Sequence, residues 1–252
     1  MPVIAAELIA YGSASMALDD TVLNIGGAID VTKRVVFTDI TPSGAVEIVS
    51  SNAGDTTQTV TVYGRDAAGV LISDVRTLNG TTAVAVTGTF ERILRAVVSA
   101  AHTGTVTLRK ASAGGDLMLF APGELDIRRP FYNAAADASG GSARTYHEKI
   151  FIKNTNATLA LTAATIAEFA DPSGFVTFAL EASLSGTDTN GGGNNRQVAP
   201  GGYTFDSATK NVANSGNHTA GAGQGVWLKL SLAAGAAAQK TSYTLRESGT
   251  TV

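Results

Sequence analysis

Residues 60–78, VTVYGRDAAGVLISDVRTL, restrict what this chain can fold into more than any other stretch. Their turn chemistry demands a chain reversal between two alternating segments. Asp66 stands where a carboxylate can accept a backbone N–H two residues on, Ala67 and Ala68 tolerate type I dihedrals, and Gly69 supplies the positive φ that closes the turn with a bulge. Before the turn, Val60, Val62 and Gly64 share one face, against Thr61, Tyr63 and Arg65. After it, Val70, Ile72 and Asp74 oppose Leu71, Ser73 and Val75. The pattern predicts a β-hairpin with one mainly buried and one partly exposed face.

The same turn chemistry recurs at Asp171-Pro172-Ser173-Gly174 and, more weakly, at Thr41-Pro42-Ser43-Gly44. Asn79-Gly80 is a further hairpin-grade pair, after which residues 83–86 can return as a third strand. Three turns of one type predict hairpins in both halves. Short β candidates at 22–25, 35–37 and 45–49, and later at 104–110 and 116–120, come at close spacing between Gly, Asn and Pro, which argues for sandwiches or barrels. Residues 89–99, TFERILRAVVS, fit either a helix or a strand buried on both sides. The strand is favoured, because its neighbours are strands and Val97-Val98 is β-branched. Residues 104–110 are then expected to pair with it.

The prediction is an all-β protein: two antiparallel β-sandwich or barrel-like domains joined by a Gly/Ala/Ser-rich linker. Residues 1–20 are an N-terminal arm or a first strand, 21–132 an N-terminal β domain, 133–145 the linker and 146–252 a C-terminal β-sandwich domain. In the second half, strands are expected around 150–153, 159–162, 175–180, 226–232 and 241–246. Between them, 183–225 reads as a long polar loop with Gly191-Gly192-Gly193-Asn194-Asn195 at its centre and a short strand at 203–205. A structureless loop of that length is expected to be functional or mobile.

Composition narrows the function classes. Hydrophobic residues make up 44% and charged residues 15%, so the surface relies on Thr, Ser, Asn, Gly and Ala, as in a β-protein built to meet copies or partners. Residues 1–130 carry 10 basic and 13 acidic side chains and 131–252 carry 8 and 8, together the 18 and 21 of the chain. There is no basic field for nucleic acid. With no cysteine there is neither disulfide nor thiolate chemistry. The N-terminus lacks a basic segment ahead of its apolar run and no apolar run reaches membrane-spanning length, so a cytosolic product without a membrane partner is expected.

No catalytic, cofactor or metal constellation stands out. His102, His147 and His218 form no i, i+4 pair, and the glycines of the 190s are followed by no Gly-Lys-Ser/Thr. No cofactor and no enzymatic activity are therefore expected. Carboxylate pairs for sugar hydrolysis can meet only in the fold, and an aromatic content of 6% offers few stacking rings. Trp227 alternates with Leu228 and Leu230 along a strand and reads as a packing residue. The candidate contact residues are Val3, Ile4 and Leu8 of the apolar N-terminus, Arg128 and Arg129 before the linker, and Asn194 and Asn195 in the long loop.

The segments YGRDAAGVLISDVRTLNGT, EKIFIKNTNATLAL, FADPSGFVTFALE and GVWLKLSLAAGAAAQKTSYTLRESG resemble virion structural proteins of tailed bacteriophages. In those proteins Gly-x-Asp-x-x-Gly hairpins and a C-terminal strand pair with a Trp-Leu-Lys motif belong to β-sandwich domains, often immunoglobulin-like. The resemblance touches both halves, about a third of the chain. It implies a non-enzymatic protein made in the host cytoplasm and located on the virion, a capsid decoration (cement) protein that binds the major capsid protein and itself as a homotrimer. A tail, neck or fibre component bound to a tail or neck protein is the alternative within that class. A carbohydrate-binding or hydrolytic β-protein is the alternative outside it.

Overall fold

The computed structural model describes residues 2–16, 23–35, 39–131, 141–236 and 242–251. Their structure is all-β. In chain order the strands are β1 (Leu8–Ser15), β2 (Gly26–Val35), β3 (Gly44–Ser50), β4 (Thr59–Arg65), β5 (Leu71–Thr77), β6 (Val84–Phe90), β7 (Arg92–Val98) and β8 (Val106–Lys110). They continue as β9 (Asp116–Phe120), β10 (Asp126–Arg128), β11 (Arg144–Asn154), β12 (Leu161–Ala170), β13 (Val176–Leu184), β14 (Lys210–Asn211), β15 (Gly223–Leu232) and β16 (Thr244–Thr251). Among the described residues the only other elements are a 3-10 turn at Ala5–Glu7 and a four-residue helical turn, α1 (Ala213–Gly216). No described helix is long and apolar enough to cross a membrane.

Two compact units emerge, Val31–Pro130 and the combination of Met1–Asp30 with Phe131–Val252. Of the expected linker, 133–140 lies outside the described residues, 141–143 are irregular, and Arg144 already begins β11.

In the unit 31–130, one sheet runs from the second half of β2 through β10, β7 and β4 to β5 at its edge, with β2 and β10 parallel and the other pairs antiparallel. The second sheet has the order β6-β3-β8-β9. Val60, Val62, Ala96, Val98 and Ile127 from the first meet Val46, Ile48, Val86, Leu108 and Phe120 from the second in one buried cluster. This is a sandwich, each strand burying alternate residues.

The turn at 66–69 forms as its residues require. Asp66 Oδ1 accepts the N–H groups of Ala68 and Val70 at 3.0 and 2.9 Å, the Gly69 N–H reaches Asp66 O at 2.9 Å, and Gly69 has φ +79°. Gly64 is needed for a different reason. A Cβ there would stand 2.4 Å from both Phe90 Cδ1 and Arg92 O, so β4 approaches the end of β6 only without a side chain. Residues 92–98 form a strand, with Ile93, Leu94, Ala96 and Val98 buried.

Partner choice departs from expectation in three places. After Asn79-Gly80 the chain leaves its sheet, and β6 pairs with β3 rather than extending the β4–β5 hairpin. Strand β8 pairs with β3 and β9, not with β7. The Asp171 turn has the expected geometry, with Asp171 Oδ1 accepting Ser173 N at 3.1 Å and Gly174 at φ +66°, yet it is no hairpin. It joins β12, which pairs with β14 and β16, to β13, which pairs with β15. Turn chemistry reverses a chain; apolar faces on both following strands decide whether it re-enters the same sheet or crosses a core.

The second unit contains a sheet β13-β15-β11-β1, continued by the first half of β2, and a three-stranded sheet β14-β12-β16. Register fixes the faces of the larger sheet. Ile150, Val226 and Leu180 lie in one row and Glu148, Leu228 and Phe178 in the next, on one face. Lys149, Trp227 and Ala179 form a row on the other. The three-stranded sheet buries Leu161, Ala164 and Ile166, consistent with a second sandwich.

Candidate functional site

Residues 183–225 are not a structureless loop. β13 runs to Leu184, 185–209 lie over the sheet, and β14, α1 and the start of β15 complete the stretch. No strand forms at 203–205; Asp206 instead bridges Phe178 on the β13 edge. Polar side chains fasten this cover. Buried Asn190 accepts Ile25 N at 2.9 Å and donates to Asn195 O at 2.7 Å.

Lys149 is the stronger fastening. Its ammonium, fully buried, donates to Glu181 Oε1 at 2.5 Å, Gly27 O at 2.8 Å, Asp188 O at 3.1 Å and Gly186 O at 3.2 Å. It also lies 4.7 Å from the Phe151 ring centroid and 5.7 Å from that of Trp227. Burial pushes the Lys149 amine below its ordinary range and the Glu181 carboxyl above its own, each opposed by the attraction of the other. Glycines make room: a Cβ on Gly26, at φ +100°, would stand 2.5 Å from Asp188 O and 2.8 Å from Trp227 Cη2.

Along the outer edge of β13 this arrangement leaves an open cleft of about 620 Å³, walled by residues 179–182, 201–204 and 210–215, with Asp188 at its side. Asp188 Oδ2 accepts the Tyr203 hydroxyl at 2.5 Å, and burial, then that hydrogen bond, raises the phenol's pKa. Lys210 is held by Asp206 at 2.5 Å and lies 5.3 Å from the Phe178 ring centroid. Asn214 and Ser215, both exposed, have left-handed φ of 58° and 56°. Among the described residues no group of His, Asp and Glu is arranged to hold a metal ion.

A second surface is the outer face of the β4–β5 hairpin. Register puts Thr61, Tyr63 and Arg65 beside Val75, Ser73 and Leu71 on that face. Leu71 is 57% and Val75 55% exposed, with Val70 at the turn also 57%. Arg95 lies 5.7 Å from the centre of the Tyr63 ring while pairing in two-pronged fashion with Asp126 at 2.9 and 2.7 Å. Burial would raise the Asp126 carboxyl, but the guanidinium hydrogen bonds of Arg95 and Arg128 outweigh it and hold the pKa low.

The contact residues picked from sequence fall in separate places. Val3 donates its N–H to Thr251 Oγ1 at 3.1 Å, Ile4 is exposed, and half-buried Leu8 opens β1 opposite Asn154 of β11. β1 is thus a strand of its own chain. Arg128 is buried against Asp126, and Arg129 pairs with Asp39. Asn194 donates to Asn190 O at 2.9 Å, and Asn195 Oδ1 accepts Gln197 N at 2.9 Å. The cleft residues were not singled out by sequence. They come from four segments up to 36 positions apart, without spacing or motif to link them.

No protein-family model, no curated protein and no solved structure matches this chain.

Proposed function

We propose that this is a non-enzymatic structural protein of a tailed-phage virion, a capsid decoration protein that docks through the outer face of its β4–β5 hairpin. The observation that carries the reading is the coincidence of two features in one segment. Residues 63–81, which resemble phage virion proteins, include an edge strand with Leu71 and Val75 more than half exposed. Edge strands of proteins that work alone are blunted by charge, proline or cover, and an apolar edge is a surface for a neighbour. Asp74 and Arg76, paired at 2.7 Å, lie on the opposite, inward face, and the outer face of β5 carries Leu71 and Val75 with only Ser73 between them. Burial of Leu71 and Val75 against the major capsid protein or a second copy would supply the binding energy, with Tyr63 as the aromatic anchor.

Cosedimentation of the purified protein with tailed-phage heads assembled from a major capsid protein of the same genome tests the proposal. The expected result is saturable binding that Leu71→Asp with Val75→Asp reduces at least tenfold while the melting temperature is kept. Absence of binding to heads would overturn the decoration role, and undiminished binding by the double variant would overturn the docking face.

A further inference from the structure

We infer that the cleft along β13 is a binding site for a short, neutral, hydroxyl-rich ligand, a saccharide rather than an ion or a peptide. Its volume, about 620 Å³, lies within the range of small-molecule sites. Its lining decides the chemistry. Asp188, Tyr203, Thr204, Asn211, Asn214 and Ser215 bring acceptors and donors to the lining from three segments of the chain. Backbone adds to these: Phe178 gives both its N–H and its C=O to Asp206, so by ladder alternation Leu180, two residues on, turns its own pair the same way, toward the cleft.

Charge argues against anions. The Asp188 carboxylate stands at the side of the cleft, and the one cationic side chain of the lining, Lys210, is neutralised by Asp206. A peptide added to the β13 edge would need pockets for alternate side chains, and residues 201–202 and 213–215 offer only two glycines, an alanine and small polar groups there. Hydroxyl, amide and carboxylate groups set among small apolar residues such as Ala179, Ala182 and Ala213 fit a sugar, whose hydroxyls donate and accept and whose C–H faces are apolar.

The inference is independent of the virion reading, since the cleft and the β4–β5 hairpin lie in different units. The test is binding of the full chain to a panel of neutral, sialylated and sulfated oligosaccharides and to a random-peptide library. Asn211→Trp fills the cleft from an exposed position, Asp188→Ala removes a carboxylate, and Leu71→Asp serves as control. The expected result is saturable binding of at least one neutral saccharide, at least tenfold weaker for its anionic counterparts and for both cleft variants, and unchanged in the control. Asn211→Trp with an unaltered melting temperature keeps the test valid should Asp188→Ala fail to fold. No saturable binding by any neutral saccharide, equal binding by Asn211→Trp, or binding of peptides alone would overturn the inference.

Discussion

Gly225 lies directly against the carboxylate of Glu181: a Cβ built on Gly225 would stand 1.9 Å from Glu181 Oε2. The glycine on β15 is therefore what lets a charged side chain on β13 lie flat over the sheet and reach Lys149. Gly225→Ala should push the carboxylate out of that position and destabilise the fold by about 3 kcal/mol. Urea denaturation of the two proteins measures the difference, and a midpoint equal to that of the parent would contradict the assignment.

Lys149 and Glu181 should behave as a unit. Lys149→Met leaves a buried carboxylate without its cation and also frees the carbonyls of Gly27, Gly186 and Asp188, at a cost of about 3–5 kcal/mol. The double variant Lys149→Met with Glu181→Leu should recover much of that loss, because no unpaired charge remains. Unfolding free energies of the four proteins in a double-mutant cycle provide the check. Simple additivity would show that the two side chains do not depend on each other.

Two glycines of the opening hairpin should respond differently to alanine. Gly64→Ala meets Phe90 and the Arg92 carbonyl at 2.4 Å and should cost about 2–3 kcal/mol. Gly69→Ala meets nothing within 4 Å, and only its φ of +79° opposes the change, so about 1 kcal/mol is expected. Denaturation midpoints that reverse this order would contradict the close approach of β4 to Phe90.

Asp55 ties two loops of the 31–130 unit together. Its carboxylate accepts Ser50 Oγ at 2.6 Å and the N–H groups of Thr103 and Gly104, each at 2.9 Å, and the Ser50 and Thr103 hydrogen bonds lower its pKa. Asp55→Ala strands those donors and should cost about 3 kcal/mol. Faster amide exchange at Thr103 and Gly104 in the variant would locate the effect, and parental exchange rates there would refute it.

Acid should weaken the fold in two stages. Burial, against a hydrogen bond with Arg196 O, lowers His147 from 6.5 to about 4. The unfolded chain binds a proton in that interval that the folded chain refuses, so stability falls as pH drops from 6.5 to about 4. Asp126 acts lower down. Its folded pKa lies below the ordinary 3.8, so its contribution is present above that value and is lost as pH falls through the folded one. The urea midpoint followed against pH for the parent and His147→Gln should show the upper stage only in the parent. An identical slope in both would assign it elsewhere.

Strand identity was readable wherever local chemistry and alternation agreed. The Asp66 turn, the Val60/Val62 face and the strand at 92–98 each depend on neighbours in sequence, and each formed as read. Partner choice was not readable in the same way. Asn79-Gly80 and Asp171-Gly174 are turns of hairpin type that carry the chain to another sheet, because β6 finds its row of apolar partners on β3 and β13 finds its own on β15. Nor was the cleft, whose walls have no common pattern before folding. Arg128 and Arg129, candidate contact residues in the sequence, and Lys149, which the sequence does not single out, are buried or nearly so, each against a carboxylate 2 to 90 positions away.

The amino-acid sequence by itself determined that this protein is all-β, where its tightest turns fall and which residues of the 60–78 hairpin share a face, since these follow from dihedral preference and period-two alternation. Tertiary structure decided which strands share a sheet, which charges are interior, and that 183–225 cover a sheet and open a cleft on its edge. Those outcomes depend on contacts between residues far apart in the chain, where burial and pairing energies outweigh any local preference.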